Sequence, residues 1–129
     1  LNKYSVDLED KTHFFASGNV ADSWLKYDFK DKKVRPTHYS IRTRHGGGIQ
    51  NPKTWIIEGS NDDSDWKPLD RRTDETCLNG YNFVHTFDIQ TKLEENEFFR
   101  YLRIKQTGLN TGCDNYFVLS ALEYFGAII

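Results

Sequence analysis

Arg42, Arg44 and His45 run directly into Gly46, Gly47 and Gly48, with Gln50 just beyond. The two arginines are two positions apart, so on a strand they share one face. A guanidinium is a rigid fork of donors suited to carboxylates, vicinal hydroxyls or backbone carbonyls. Three consecutive glycines remove every Cβ from the adjoining backbone, so a ligand or another chain can come close. The set suits gripping a ligand better than moving protons. The plainer alternative pairs both arginines with surface carboxylates beside a tight turn. Asn110 and Asn115, in a later turn-rich stretch, add amide donors and acceptors of the same kind.

Other chemistry finds little support. The chain holds no GxSxG, HExxH, P-loop or GxGxxG string. The glycine triplet is followed neither by a Lys-Ser/Thr pair nor by a helix, so it is not a phosphate loop. His13, His38, His45 and His85 lack short metal-ligand spacing. The acidic run Asn61-Asp62-Asp63-Ser64-Asp65 resembles a calcium loop only superficially, because Trp66 and Arg72 stand where an EF-hand needs Gly and Glu. A hydrated turn is the simpler reading. Asp7, Glu9 and Asp10 form a second acidic group, where a structural calcium ion near Asp7 and Asp10 is the alternative to a solvated surface. No cofactor is expected, and the chain reads as a non-enzyme.

These residues must be held by something, and the patterning says what. Trp24–Phe29 alternates, with Leu25, Tyr27 and Phe29 on one face. Tyr39, Ile41 and Thr43 alternate against Ser40, Arg42 and Arg44. Thr54–Glu58 is a short apolar run, and Phe83, His85, Phe87 and Ile89 share a face. Phe98, Arg100, Leu102 and Ile104 face opposite Phe99, Tyr101, Arg103 and Lys105, and Tyr116–Phe125 reads as a central strand. Between them lie turn-rich stretches at 30–33, 46–52, 59–65, 79–82 and 107–115. Only 91–99 has room for a helical turn. Short strands without intervening helices imply an antiparallel sandwich or barrel, and 129 residues suit one domain spanning 1–129. Trp55 and Trp66 read first as core, while a sugar-stacking aromatic would come from His13, Phe14, Phe15, Tyr116 or Phe117.

Composition narrows the partners. Seventeen basic against nineteen acidic residues leave a formal charge of −2, which argues against nucleic acid. No apolar run of about 18 residues is present to span a membrane. Cys77 and Cys113 allow one bridge on arithmetic alone, but two idle thiols in a reducing compartment is the simpler account. Cys113 has no basic neighbour in sequence to make it reactive. No Asn-x-Ser/Thr sequon occurs. Together these features point to an intracellular, cytoplasmic setting.

Five strings, taken in order, resemble a known family. They are "WLKYDF", "PTHYSIRTRH", "NPKTWIIEGSNDDSDWKPLD", "FFRYLRIKQTGLN" and "LSALEYFG". This succession is similar to that of discoidin (F5/8 type C) domains, nearest to the intracellular branch found beside BTB or HECT-type ubiquitin ligase domains. The resemblance implies an all-β jelly-roll β-sandwich of the galactose-binding-like type that binds ligands through loops at one end. It places 44–53, 13–23 and 107–115 at that end and the turn 62–65 at the other, roughly 17 to 20 Å away. Against the family pattern, neither terminus carries a cysteine, and the segment before Asp7 is short. Either a first strand is missing or the N-terminal edge differs. The loop 46–50 offers only Ile49 as an apolar tip, so membrane insertion is not expected.

The expected function is a non-catalytic recognition module for a protein or peptide within a larger protein, with carbohydrate binding as the alternative. Arg42, Arg44, His45, Gly46, Gly47, Gly48, Gln50, Asn110 and Asn115 are the expected ligand residues. The two readings differ in one visible respect. Tyr116 or Phe117 exposed at the ligand end favours sugar, and both packed inward favours a protein partner.

Overall fold

The structure is a computed structural model that describes residues 2–5, 15–44, 50–80 and 82–129. Ten strands pair in it, every pair antiparallel. One four-stranded sheet runs β1 (Asn2–Ser5), β10 (Ala121–Ile128), β4 (Val34–Arg42), β7 (Val84–Asp88). The other runs β3 (Trp24–Asp28), β8 (Tyr101–Gln106), β5 (Trp55–Ser60), β6 (Lys67–Arg72). A two-residue pair, β2 (Phe15–Ala16) with β9 (Val118–Leu119), leads into β10. The all-β sandwich expected from the alternation is therefore present.

Period-two patterning explains which faces meet. In β8 the residues Leu102, Ile104 and Gln106 are buried and their neighbours are half-exposed. They face Tyr39 and Ile41 of β4 and Leu122 and Tyr124 of β10 across the core, joined by Trp55, Ile57, Leu69 and Phe87. Burying each large side chain contributes roughly 1.5–3 kcal/mol. Gly126 sits at a bulge between β10 and β4 where an added Cβ would lie 2.1 Å from the Arg35 carbonyl oxygen. Only glycine fits there.

A polar chain crosses this core. Trp55 Nε1–H donates to Tyr39 Oη at 2.9 Å, and Tyr39 Oη donates to Asp70. Asp70, only 1% exposed, also accepts from Arg72 Nε at 2.9 Å and from the Gln90 amide at 3.2 Å. Burial, with the Asp70 carboxylate beside it, pushes the Tyr39 phenol far above its ordinary range. The two sheets are thus clamped by hydrogen bonds as well as by packing.

Several sequence expectations shift. The run 116–125 is not one strand, because β9 and β10 separate at Ser120, whose amide donates to the Arg42 carbonyl. The pattern through 98–105 breaks as well. Phe99, not Phe98, is buried, because it bridges Val34 before β8 begins at Tyr101. The segment 91–99 holds turns without a helix, and β6, with Pro68 in it, carried no strand signal. Trp66 is not core. It is half-buried, with the Arg103 guanidinium 3.9 Å from its ring centroid and Tyr101 edge-on beyond.

Candidate ligand-binding site

Strand direction gathers the described residues of four connections at one end: 17–23 before β3, 43–44 and 50–54 between β4 and β5, 73–80 and 82–83 between β6 and β7, and 107–117 between β8 and β9. The acidic turn 61–66 joins β5 to β6 at the other end, as expected. There Asp62 Oδ1 accepts from the amides of Ser64 at 2.9 Å and Asp65 at 2.8 Å. The turn satisfies its own carboxylate, which is a structural use of the acidic run.

Asn110 is the hub of the loop end. It is fully buried, and its Nδ2 donates to Asp114 Oδ1 at 2.6 Å and to the Tyr116 carbonyl at 2.8 Å. Its Oδ1 accepts from the amides of Gly112 at 2.9 Å and Asp114 at 3.2 Å. Every hydrogen-bonding group of that amide is used inside the loop. Asn110 therefore shapes the loop and leaves no amide group at the surface, unlike the exposed donor expected of it. Its burial could not be read from the sequence, since an asparagine in a turn-rich stretch looks the same either way.

The loops are tied to one another around it. Gln50 Nε2 donates to Asp114 Oδ2 at 3.0 Å, and this bond leads in holding the Asp114 carboxyl below the usual carboxylate range. Gln50 therefore clasps two loops together, a structural role beside the expected one. Asn51, only 2% exposed, donates from its backbone amide to Thr111 Oγ1 at 2.9 Å and from Nδ2 to the Gly80 carbonyl at 3.1 Å. Thr43 Oγ1 donates to that same carbonyl at 2.8 Å. On the other side the Asn115 amide donates to Asn19 Oδ1 at 2.8 Å, and the Phe117 amide to Ser17 Oγ at 2.8 Å. Gln106, at the inward position that closes β8, donates to the carbonyls of Asn115 and Tyr116 at 3.2 and 3.0 Å.

Among the remaining expected ligand residues, Asn115 is half-buried on this rim. Arg42 ends β4 on the outer face of its sheet, paired with Ala121 and Val84. Arg44 lies past the strand end, half-buried, its carbonyl accepting from the Asn82 amide at 3.3 Å. His45, Gly46, Gly47, Gly48 and Ile49 lie outside the described residues, as do Asp7 and Asp10 with the calcium alternative. Among the described residues no three His, Cys, Asp or Glu side chains converge in a way that could hold a metal ion. Both cysteines are free thiols, and burial raises that of Cys77, with Glu75 adding to it.

The sequence missed two features. One is a concentration of exposed apolar side chains. Of seven large ones among the described residues, Val20, Trp24, Phe83, Val84, Leu109 and Tyr116 lie at the loop end, and only Ile129 lies elsewhere. Tyr116 is 37% exposed while Phe117 is fully buried, edge-on to Phe15 at 5.8 Å. The other is a cleft of about 490 Å³ lined by Lys53, Asp74, Glu75, Thr76, Asn79 and Thr111. Its residues come from three loops that no single string of sequence joins.

The sandwich is a jelly roll of the galactose-binding-like, discoidin type, the fold of several solved carbohydrate-binding modules. A CBM62 module of Clostridium thermocellum Xyl5A covers 93% of this chain and 79% of its own length at 23% identity, with a TM-score of 0.66. A CBM32 module of a family 31 glycoside hydrolase from Clostridium perfringens covers 92% and 78% at 17% identity, with a TM-score of 0.70. Another CBM32 module from Clostridium perfringens, solved with GalNAc-β-1,3-galactose, covers 97% and 94% at 8% identity, with a TM-score of 0.68. At such identities the likeness establishes the fold alone.

No family model matches the chain. Among curated proteins it is similar to the E3 ubiquitin-protein ligase Ufd4 of Drosophila melanogaster, 30% identical over 97 residues. It is also similar to the E3 ubiquitin-protein ligase hecd-1 of Caenorhabditis elegans, 32% identical over 97 residues. Each match takes in 74% of this chain, and the matched stretch is 4% of the relative's length. No helix among the described residues is long and apolar enough to cross a membrane.

Proposed function

We propose that this chain is a non-catalytic recognition module and that its ligand at the loop end is a carbohydrate. The observation that carries this reading is Tyr116, exposed on the rim while its neighbour Phe117 fills the core. A tyrosine face stacks on the C–H face of a sugar ring, and its hydroxyl remains free to bond. Beside it stand Asn115 and Asp114, whose amide and carboxylate suit ring hydroxyls. The likeness to carbohydrate-binding modules supports the same choice. Arg44 and His45 remain proposed donors on the loop that Gln50 clasps to Asp114.

A protein or peptide partner is the second reading. The likeness to two ubiquitin ligases favours it, as do the exposed Val20, Trp24 and Leu109 beside Tyr116. The intracellular setting expected from the sequence goes with those ligases and is proposed on the same ground. A glycan array probed with the wild-type domain, a Tyr116→Ala variant and an Arg44→Ala, His45→Ala variant tests the choice. Binding that both variants lose is the expected result. An array on which the wild type binds nothing overturns the carbohydrate reading and leaves a protein partner.

A further inference from the structure

The cleft between Lys53, Asp74, Glu75, Thr76, Asn79 and Thr111 has a restrictive chemistry. Among the described residues no aromatic or aliphatic side chain lines it, unlike a site for an apolar small molecule. Lys53 Nζ and Asp74 Oδ1 lie 3.9 Å apart, too far for a direct hydrogen bond, so each keeps capacity for a third group. An anionic ligand would meet the Asp74 and Glu75 carboxylates. A cationic one would meet the Lys53 ammonium, and Glu75 is already paired with Arg72, whose Nη1 lies 3.6 Å from it. A neutral hydroxyl, which both donates and accepts, satisfies the ammonium, the carboxylates, the threonines and the Asn79 amide alike.

The frame of the cleft is fixed in advance. The Glu75 amide donates to the Lys53 carbonyl at 2.8 Å, and the Asp74 amide to Thr54 Oγ1 at 3.1 Å. Asp74 is held at φ 52°, a left-handed conformation that an Asp or Asn adopts more readily than most residues. Thr111, on the cleft wall, belongs to the turn whose far limb carries Asp114 and leads to Tyr116. That turn is closed by the Asn110 amide on the Asp114 carbonyl at 2.9 Å, so one hydrogen-bonded turn carries both the cleft's Thr111 and, just beyond it, Tyr116.

Resting on the carbohydrate reading, we propose that this cleft takes a second sugar ring of the same ligand, so the loop end recognises an oligosaccharide rather than one terminal sugar. The test is an array presenting each terminal sugar both singly and within longer neutral chains. It is probed with the wild type, Tyr116→Ala, and a Lys53→Met, Asp74→Asn variant whose changes lie on exposed or half-exposed side chains. Wild type should bind the longer chains about tenfold more tightly than the single sugar. The double variant should lose that advantage while keeping its binding to single sugars and its melting temperature. Equal binding of short and long glycans, or a length advantage that survives the double variant, overturns the second subsite and leaves Tyr116 as the whole site. An array with no binding at all overturns the carbohydrate reading and the subsite with it.

Discussion

The two ends of the sandwich are built from the same residue types and put to opposite uses. At the far end charge meets charge. Arg100 Nε donates to Asp28 Oδ1 at 2.9 Å, Lys26 reaches Asp63 at 2.7 Å, and Lys67 pairs with Glu97. The Asn61 side chain there bridges the Phe98 carbonyl and the Arg100 amide at 2.9 and 3.0 Å. At the loop end the polar side chains turn inward to hold backbone, and apolar ones are left in water. Among the described residues, six of the seven exposed large apolar groups stand there at a solvation cost that the fold does not require. An end that satisfies itself is scaffold, and an end that leaves apolar surface uncovered is where a partner belongs.

The sharpest way to test that contrast compares two arginine–carboxylate pairs. Arg72 and Asp70, where β6 meets the loop end, have side chains 19% and 0% exposed, whereas those of Arg100 and Asp28 are 39% and 25% exposed. Replacing Arg72 with Ala takes the counter-charge from a buried carboxylate, leaving it the Tyr39 and Gln90 hydrogen bonds, and should cost about 3–5 kcal/mol in a denaturant titration. Arg100→Ala should lower the melting temperature only slightly. Equal losses would mean that the two ends do not differ in how they hold charge.

Asn110→Ala comes next. It removes the partner of two amides and the Tyr116 carbonyl, so a loss of about 2–3 kcal/mol is expected, together with loss of ligand binding. A stable Asn110→Ala domain that still binds would show that the hub does not shape the site. Much of the fold was legible beforehand, because alternation in Leu25–Phe29 and Tyr39–Thr43 records which face is buried. Asn110 was legible as a residue but not in its role. Its partners at Gly112, Asp114 and Tyr116 are set by a turn conformation that no periodicity encodes.

Acid should loosen a turn at each end, and one substitution should tell the two apart. At the loop end the Gln50 amide leads in holding Asp114 below the usual carboxylate range, and at the far end the Asp65 amide leads for Asp62. Each folded value lies below the unfolded one. The stabilisation is therefore complete above about pH 4 and is lost as pH falls through the folded value. Amide exchange followed by NMR should accelerate at both 110–116 and 62–65 below that pH. In Asp114→Asn the acid step at 110–116 should vanish and the one at 62–65 should remain. The smallest effect is expected at Lys26. Its exposed pair with Asp63 should contribute less than about 1 kcal/mol, measured as the stability of Lys26→Met against wild type.

The sequence by itself determined the all-β class and the faces of the main strands, because burial on one side of a sheet imposes a period of two. Through its resemblance to discoidin domains it also placed the acidic turn at the end away from the connections that carry Gln50 and Asn115. It did not determine that Tyr116 is exposed and Phe117 buried, since two adjacent aromatics beside a strand break carry no phase. Nor did it join Lys53, Asp74, Asn79 and Thr111 into one cleft. Those residues are brought together only when β5, β6 and β8 lie side by side in one sheet and their connections close over the same end. Local patterning reports which side of a strand is dry. Which loops meet is a property of strand order, and that is decided in three dimensions.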